Sequence, residues 1–189
     1  HTDHETEHHH FELSRNWQGK LAAAGLMGIA YPAAYGGGGG AGWMTRIERE
    51  ISRDYEENTG FPGATTAMLA PALLRHASEE QKLEYLPKLL SAELTFCQLF
   101  SEPGSGSDLA SLGTRALRDG DEFIVTGQKV WNSAAQLCDW GFLLVRTDPD
   151  APKHRGITFV LVDMSTPGIE VRPLVQINGS AHFNEVFLD

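Results

Sequence analysis

The protein has 189 residues, of which 41% are hydrophobic and 21% are charged, and its formal net charge is −10 at pH 7. These proportions are close to the averages of globular proteins, so the composition excludes a wholly disordered chain. The acidic balance argues against binding to nucleic acid and against direct attraction to an anionic membrane surface. The sequence contains no run of about 18 apolar residues, which argues against a membrane span.

Helical periodicity dominates the first half of the sequence. Apolar residues recur at three- and four-residue spacing after Phe11, in the segment 43–57 and in the segment 64–75. The stripe of the first helix is formed by Leu13, Trp17, Leu21 and Ala24, and that of the second by Met44, Ile47, Ile51 and Tyr55. Gly25 can close the first helix.

Three further signals refine the helical half. Ser78 and Gln81 have the spacing of a capping box, which predicts the start of a fourth helix. That helix is expected to kink or end near Pro87, because proline has no amide hydrogen to donate. The run Gly36–Gly40 lacks the Lys-Ser or Lys-Thr of a phosphate-binding P-loop. It is interpreted as a turn that only glycine tolerates, with a ligand-binding loop as the alternative.

After Glu93 the pattern changes to short runs that are rich in β-branched and aromatic residues. These runs are 96–100, 115–118, 122–131, 141–147, 156–163, 169–173 and 183–188. Turn signals at 119–121 and 178–179 separate neighbouring runs, and short strands at this spacing predict an antiparallel barrel or sandwich. The sequence therefore predicts an α+β chain, with an N-terminal all-helical domain over residues 1–92 and an antiparallel β-barrel-like domain over residues 93–189.

Reactive and charged side chains outside the main motifs allow more than one reading. Cys97 and Cys138 lie in apolar strand contexts without CxxC spacing, which predicts two buried thiols rather than a disulfide or a zinc site. The histidine-rich segment 1–10 is assigned no function, and no metal site is predicted.

A group of basic residues in the second half either meets an anionic ligand or lies at solvated strand ends. This group consists of Arg115, Arg118, Lys129, Arg146, Lys153 and Arg155.

The segment Leu99–Asp108 leaves a predicted strand, turns at Pro103 and continues with small residues. Backbone amides in such a turn can converge on an anionic oxygen without help from a lysine. An ordinary polar turn capped by Asp108 accounts for the same composition equally well.

The segment Gly127–Ser133 ends a predicted strand and places the large indole of Trp131 directly before two polar residues. Trp131 can pack against a planar ligand while the Ser133 hydroxyl binds a ring heteroatom. Taken alone, the segment is explained at least as well by a core tryptophan at a strand end.

Together, Ser-Glu-Pro-Gly-Ser-Gly-Ser-Asp at 101–108 and Gly-Gln-Lys-Val-Trp-Asn-Ser at 127–133 resemble the flavin-binding signature of acyl-CoA dehydrogenases. Further segments resemble that family in the same order, at 28–37, 78–87, 168–171 and 183–187. The resemblance implies FAD as the cofactor and α,β-dehydrogenation of an acyl-CoA thioester as the reaction. A carboxylate would remove the α-proton while the β-hydrogen leaves as hydride to the flavin.

The resemblance also assigns the flavin site by position. The implied flavin-binding residues are Gln98, Phe100, Ser101, Gly106, Ser107, Trp131, Asn132 and Ser133. The first three belong to the strand end that contacts the isoalloxazine ring in the family. Gly106 and Ser107 would approach the diphosphate and the acyl-CoA. Ser107 is therefore the implied substrate-binding residue. Trp131 and Ser133 would flank the flavin, with the Ser133 hydroxyl near N5. Asn132 stands where other members often carry an apolar residue, so only a backbone role is expected for it.

The catalytic glutamate of these enzymes lies in a C-terminal helical domain that has no counterpart before Asp189. The interpretation is therefore a truncated acyl-CoA dehydrogenase that binds FAD weakly and does not turn over alone, and no catalytic residue is assigned. Glu102 is rejected as the base because it belongs to the turn motif. Two alternatives stay open: a non-catalytic subunit that completes flavin sites with a partner chain, and an acyl-CoA oxidase-like flavoenzyme.

The implied partners are an acyl-CoA substrate, an electron-transferring flavoprotein as the electron acceptor, and further copies of the chain in a dimer or tetramer. Neither nucleic acid nor a membrane span is expected. The bacterial cytoplasm is the preferred compartment, and the mitochondrial matrix is the alternative.

Overall fold

The structure is a computed structural model that describes residues 2–55 and 60–189. Residues 5–95 form a mostly helical unit, and residues 96–189 form a second, β-rich unit. The helices are α1 (Thr2–Ala23), α2 (Gly42–Ser52), α3 (Gly60–His76) and α4 (Glu79–Leu90). None of the helices in the described part of the chain is both long and apolar enough to cross a membrane.

The core of the helical unit is formed by leucines of α3 and α4. They are Leu69, Leu73, Leu86, Leu89 and Leu90. Gln18 of α1 is also fully buried, and its amide nitrogen donates hydrogen bonds to the Thr66 hydroxyl (3.0 Å) and to the Leu89 carbonyl (2.9 Å). By contrast, Leu13 was expected on the apolar stripe of α1 and is 45% exposed. A polar contact therefore helps to dock α1, and apolar periodicity cannot reveal such a contact.

The start of α4 agrees with the sequence, and its end lies shortly after Pro87. The Gln81 amide donates to the Ser78 hydroxyl (3.2 Å) and the Ser78 amide donates to the Gln81 side chain (3.0 Å), which confirms the predicted capping box. The helix was predicted to kink or end near Pro87, and it includes Pro87 and ends three residues later, at Leu90. Burial of Leu89 and Leu90 in the core outweighs the backbone hydrogen bond that proline cannot make.

The apolar stripe of α2 is exposed rather than buried. No residue of α2 is buried, and the exposed large side chains of this region are Trp43, Met44, Ile47, Ile51 and Tyr55. The structure ends α2 at Ser52, and the predicted end at Glu57 lies outside the described residues.

The run Gly36–Gly40 forms the turn expected from its composition. Gly36 and Gly39 have φ angles of +82° and +64°, which favour glycine. A Cβ atom at Gly37 would lie 2.3 Å from the carbonyl oxygen of Tyr31. The backbone of this turn therefore packs against 29–31 too closely for a larger residue.

The described part of the second unit contains seven strands in a curled, mixed sheet. They are β1 (Phe96–Leu99), β2 (Arg115–Asp119), β3 (Glu122–Ser133), β4 (Trp140–Arg146), β5 (Ile157–Asp163), β6 (Ile169–Leu174) and β7 (Phe183–Leu188). Their order is β1-β4-β2-β3-β7-β6, and β5 also pairs with β4. Cys97 and Cys138 are both buried thiols, as predicted.

The predicted β-runs are confirmed, but the prediction of a purely antiparallel sheet is wrong. β1 runs parallel to β4, and β2 meets β4 in parallel at Arg115 and Arg146. Parallel neighbours need a long connection, and residues 100–139, which include the β2–β3 hairpin, supply it between β1 and β4. Tight turns can be recognised in a sequence, but they join only antiparallel strands. The parallel pairing of β1 with β4 therefore could not be predicted from them.

β3 changes partners along its length. Its first part, Glu122–Thr126, pairs with β2, and the part that begins at Gly127 pairs with β7. The register between β3 and β7 shifts between Lys129 and Asn132. Lys129 pairs with Val186 and Asn132 pairs with Asn184, so β3 advances by three residues while β7 advances by two. This shift is a β-bulge with one extra residue in β3.

Candidate functional site

The structure brings the two sequence motifs together at the ends of β1 and β3. The Val130 amide donates to the Ser101 carbonyl at 2.9 Å. The Asn132 side-chain nitrogen donates to the Gln98 carbonyl at 2.8 Å, and the Lys129 ammonium donates to the Phe100 carbonyl at 3.1 Å. β1 is the terminal strand in the sheet order, so these side-chain donors take over part of the role of a neighbouring strand. Residues 98–101 and 129–132 therefore lie side by side and are joined by three hydrogen bonds.

Trp131 occupies the bulge in a conformation that is rare for residues other than glycine. Its φ angle is +62°, and its side chain is 62% exposed. The indole meets the ring of Phe183 edge-on, with the ring centroids 6.1 Å apart. A strained, exposed aromatic residue is held by its surroundings, and such residues concentrate at functional sites. The alternative of a core tryptophan at a strand end is therefore wrong.

The two polar residues after Trp131 have different environments. Ser133 is half-buried in β3 opposite Phe183, and its hydroxyl forms no hydrogen bond with another described residue. Asn132 is 2% exposed and lies opposite Asn184, whose amide nitrogen donates to the Asn132 carbonyl at 2.9 Å. The side-chain oxygen of Asn132 is buried and accepts no hydrogen bond from the described residues. The half-buried hydroxyl of Ser133 beside a flat indole suits a planar ligand with a polar edge, whereas the buried side chain of Asn132 faces the protein interior.

The loop after Ser101 is tied down at its base and open at its tip. Glu102 and Ser105 exchange backbone hydrogen bonds of 2.8 and 3.0 Å, and the buried Ser105 hydroxyl donates to the Asp108 carbonyl. Gly106 and Ser107 at the tip are exposed, and a Cβ atom at Gly106 would meet no atom within 4 Å. Among the described residues, no hydrogen bond or ring contact links this tip to Trp131. The structure thus joins the strand-end residues of the predicted site and leaves Gly106 and Ser107 as an adjoining loop of the same chain segment.

Phe100 belongs to an aromatic cluster next to the site. Its ring meets Phe142 at 5.6 Å and Phe159 at 6.3 Å, both nearly perpendicular, and those two rings stack on each other at 6.0 Å. The ring of Phe100 thus packs against β4 and β5, while its carbonyl oxygen accepts from Lys129. This arrangement leaves the backbone of Phe100 as the part that lies at the site.

A buried ion pair lies beneath the site, and sequence reasoning missed it. The Lys129 ammonium lies 2.8 Å from a carboxylate oxygen of Glu102, and the side-chain exposures are 0% and 11%. The Glu102 carboxylate also accepts from the amides of Gly113 (2.6 Å) and Thr114 (2.9 Å). Spacing alone could not identify the pair, since Glu102 and Lys129 belong to different motifs.

Both members of the pair have shifted pKa values. Burial acts to raise the pKa of Glu102, but the hydrogen bonds from Lys129 and the backbone amides outweigh burial and hold it below the ordinary value. Burial lowers the pKa of Lys129, and the attraction of Glu102 opposes that change only in part. With three donors on its carboxylate, Glu102 is a structural anion and is poorly suited to accept a substrate proton.

Two members of the predicted basic group are neither ligand-facing nor solvated strand ends. Lys129 is buried in the ion pair, and the Arg146 guanidinium donates to the carbonyls of Ala110 (2.7 Å) and Leu112 (3.1 Å). Lys153 is exposed and pairs with Asp108 at 2.6 Å. These cations support the loop that follows β1. The described residues contain no cluster of His, Cys, Asp or Glu suited to a metal ion.

Comparison with protein families identifies the two units of the chain. The N-terminal domain of acyl-CoA dehydrogenases matches residues 1–93, and the middle domain of acyl-CoA dehydrogenases matches residues 97–189. The chain belongs to the acyl-CoA dehydrogenase family.

Two bacterial proteins are relatives of this acyl-CoA dehydrogenase chain. It is 50% identical to acyl-CoA dehydrogenase FadE34 of Mycobacterium tuberculosis over 169 residues, which are 89% of this chain and 24% of that protein. It is 40% identical to acyl-CoA dehydrogenase IpdE1 of the same organism over 185 residues, which are 97% of this chain and 48% of that protein. The chain thus spans less than half the length of each of these curated relatives.

Two solved structures illustrate the shared fold. The Tcur3481-Tcur3483 steroid ACAD superimposes with a TM-score of 0.77 at 35% identity, over 93% of this chain and 45% of that chain. The ChsE4-ChsE5 complex of Mycobacterium tuberculosis superimposes with a TM-score of 0.73 at 30% identity, also over 93% and 45%.

Proposed function

We propose that this chain supplies the N-terminal and middle domains of an FAD-dependent acyl-CoA dehydrogenase that introduces an α,β double bond into an acyl-CoA thioester. Residues 1–92 and 93–189 are assigned to these two domains. One observation carries the proposal: the strand end 98–101 and the bulge 129–132 are joined by direct hydrogen bonds beside an exposed Trp131 with positive φ. Family membership supports the proposal independently.

The residues at the site suit FAD by their chemistry. The indole of Trp131 offers a flat apolar face, and the half-buried hydroxyl of Ser133 offers a polar contact next to it. The backbone of Gln98, Phe100 and Ser101 forms the adjoining edge. In the proposal, the exposed loop with Gly106 and Ser107 accommodates the diphosphate and, through Ser107, the acyl-CoA.

Bound FAD would supply two-electron redox chemistry, and the protein would supply orientation and exclusion of water. The rigid attachment of the bulge to β1 serves orientation, because a site must hold its ligand in one geometry to favour one reaction. We propose that the carboxylate that removes the α-proton lies outside these 189 residues. Glu102 does not qualify, since its oxygens already accept hydrogen bonds from Lys129, Gly113 and Thr114.

The proposal also covers the substrate, the electron acceptor and the partner chains. A relative with the same fold is named a steroid ACAD, so a bulky polycyclic acyl-CoA is as good a candidate as a straight-chain one. The electron acceptor is proposed to be an electron-transferring flavoprotein, in the bacterial cytoplasm. The ChsE4-ChsE5 complex shows that a relative is an assembly of named components, which favours testing a partner chain as well as a homo-oligomer. An oxidase-like reaction remains the second alternative.

The test combines flavin binding with substrate reduction. The 189-residue chain is titrated with FAD and, as a control, with a flavin that lacks the adenosine diphosphate part, while flavin fluorescence is recorded. We expect weak, saturable binding that prefers FAD, and no bleaching of the flavin absorbance when straight-chain or steroid acyl-CoA is added without oxygen. Failure to bind FAD at any attainable concentration would refute the flavin site, and acyl-CoA-dependent bleaching would refute the external base.

A second arm addresses the alternatives. The chain is mixed with the remaining polypeptide of the protein or with a candidate partner chain, and anaerobic flavin reduction and its reoxidation by oxygen are followed. Flavin reduction that appears only in the mixture supports either the dehydrogenase or the complementing subunit. The molecular mass and composition of the active species then distinguish these two alternatives. Rapid reoxidation by oxygen would favour the oxidase.

A further inference from the structure

Asn132 forms hydrogen bonds on both sides of the bulge that carries Trp131. Its side-chain nitrogen donates to the Gln98 carbonyl of β1 at 2.8 Å. Its own carbonyl accepts from the side chain of Asn184 in β7 at 2.9 Å. Asn132 and Asn184 lie directly opposite each other in the strand register, with exposures of 2% and 0%. The residue after Trp131 is thus attached to two different strands.

This double attachment explains how Trp131 keeps an unfavourable backbone. A residue with a Cβ atom adopts a φ near +62° only where its surroundings enforce it. Side chains alternate between the two faces of a regular strand. The extra residue of the bulge interrupts this alternation, so the side chains that follow it point to the opposite face. Trp131 consequently points to solvent at 62% exposure while Asn132 is buried.

An apolar residue at position 132 could fill the same space but could not donate to Gln98. The Gln98 carbonyl would then be left without that donor, and the bulge would be tied to β1 only through Val130 and Lys129. Removal of the donor from a partly buried carbonyl costs free energy, because the carbonyl loses its hydrogen-bond partner. The amide of Asn132 therefore does more than occupy volume.

We propose that Asn132 is a positioning residue, which fixes the bulge so that Trp131 stays in its left-handed conformation with its indole presented for ligand binding. It acts through β1 and β7 and not by contact with the ligand. The consequence for flavin affinity rests on the proposed function, whereas the consequence for Trp131 itself does not.

The experiment uses fluorine NMR on the full 189-residue chain labelled with fluorotryptophan. The chain contains four tryptophans, Trp17, Trp43, Trp131 and Trp140. The Trp131→Phe variant assigns the resonance of interest by its loss. Asn132→Leu keeps the branched outline of the side chain, with a larger volume, but removes the donor. Asn132→Asp keeps the size and shape but places an acceptor opposite the Gln98 carbonyl. Asn178→Leu, at an exposed turn position of the same unit, is the matched control.

In both Asn132 variants, we expect the Trp131 resonance to shift or broaden while the other three stay in place. The control is expected to leave all four unchanged. If wild-type protein binds FAD, the Asn132 variants should bind it about three- to tenfold more weakly. An unchanged Trp131 resonance, or a joint movement of all four, would overturn the proposal. Absence of FAD binding by wild type would instead count against the proposed function and leave the NMR result decisive.

A thermodynamic cycle separates positioning from simple packing. Glycine tolerates positive φ, so Trp131→Gly removes the strain that the attachment of Asn132 must oppose. We expect Asn132→Leu to lower the urea midpoint less in the Trp131→Gly background than in wild type. Equal losses in the two backgrounds would show that Asn132 contributes packing alone and would overturn the proposal.

Discussion

The ammonium of Lys129 lies 2.8 Å from the carboxylate of Glu102, with 0% and 11% of the two side chains exposed. Lys129 also donates to the Phe100 carbonyl, and Glu102 also accepts from the amides of Gly113 and Thr114. The pair thereby joins the end of β1, the loop before β2 and the bulged part of β3. A buried charge that loses its partner is strongly destabilising, so the pair makes the site sensitive to single substitutions.

The first prediction concerns the removal of Lys129. Lys129→Met leaves the Glu102 carboxylate without its counter-charge and should lower the free energy of unfolding by about 3–5 kcal/mol. Urea denaturation measures the change. Lys153→Met is the matched control, since Lys153 is 51% exposed and its pair with Asp108 should be worth at most about 1 kcal/mol. The double variant Lys129→Met/Glu102→Gln should lose less than the sum of the single losses, and strict additivity would contradict the coupling.

The second prediction concerns acid stability. The folded pKa of Glu102 lies below its ordinary value of 4.5 because the donors around the carboxylate outweigh the effect of burial. The stabilisation from this group is therefore fully present above the unfolded pKa and is lost as the pH falls through the lower folded pKa. Urea midpoints measured from neutral pH into the acid range should fall less steeply in Glu102→Gln than in wild type. Parallel profiles would show that Glu102 does not contribute to the acid transition.

The third prediction compares two equally exposed tryptophans. Trp131 is 62% exposed in β3, and Trp43 is 61% exposed in α2. Trp131→Ala should weaken FAD binding about tenfold or more while leaving the urea midpoint almost unchanged, because an exposed ring stabilises the ligand more than the fold. Trp43→Ala should leave the affinity for FAD unchanged. Equal effects of the two substitutions on flavin fluorescence titrations would remove Trp131 from the site.

The fourth prediction tests the close approach of two backbones where β3 passes from β2 to β7. A Cβ atom at Gly127 would lie 2.8 Å from the Cα atom and 2.5 Å from the hydroxyl oxygen of Thr114. Gly127→Ala should therefore destabilise the protein by about 1–3 kcal/mol in thermal or urea unfolding. Gly104→Ala is the control, since its Cβ atom would meet no atom within 4 Å. An unfolding profile of Gly127→Ala equal to wild type would show that the strands can separate there.

The sequence by itself determined the local elements and the order of the two units. Periodicity of 3.6 and of 2 distinguishes helices from strands, so the elements could be predicted from it, although the apolar stripe of α2 is exposed. The capping box at Ser78 and the glycine turn at 36–40 were predictable for the same reason, since each depends on residues close together in the chain. The resemblance of 101–108 and 127–133 to a known signature named the candidate site residues.

Only the tertiary structure decided the features that depend on distant contacts. The parallel pairing of β1 with β4, the passage of α4 through Pro87 and the burial of Gln18 all result from packing between segments far apart in sequence. The ion pair between Glu102 and Lys129 and the two-sided attachment of Asn132 belong to the same class. A side chain's local pattern shows whether it prefers water or the interior, but its partner there is set by how the strands are arranged in space.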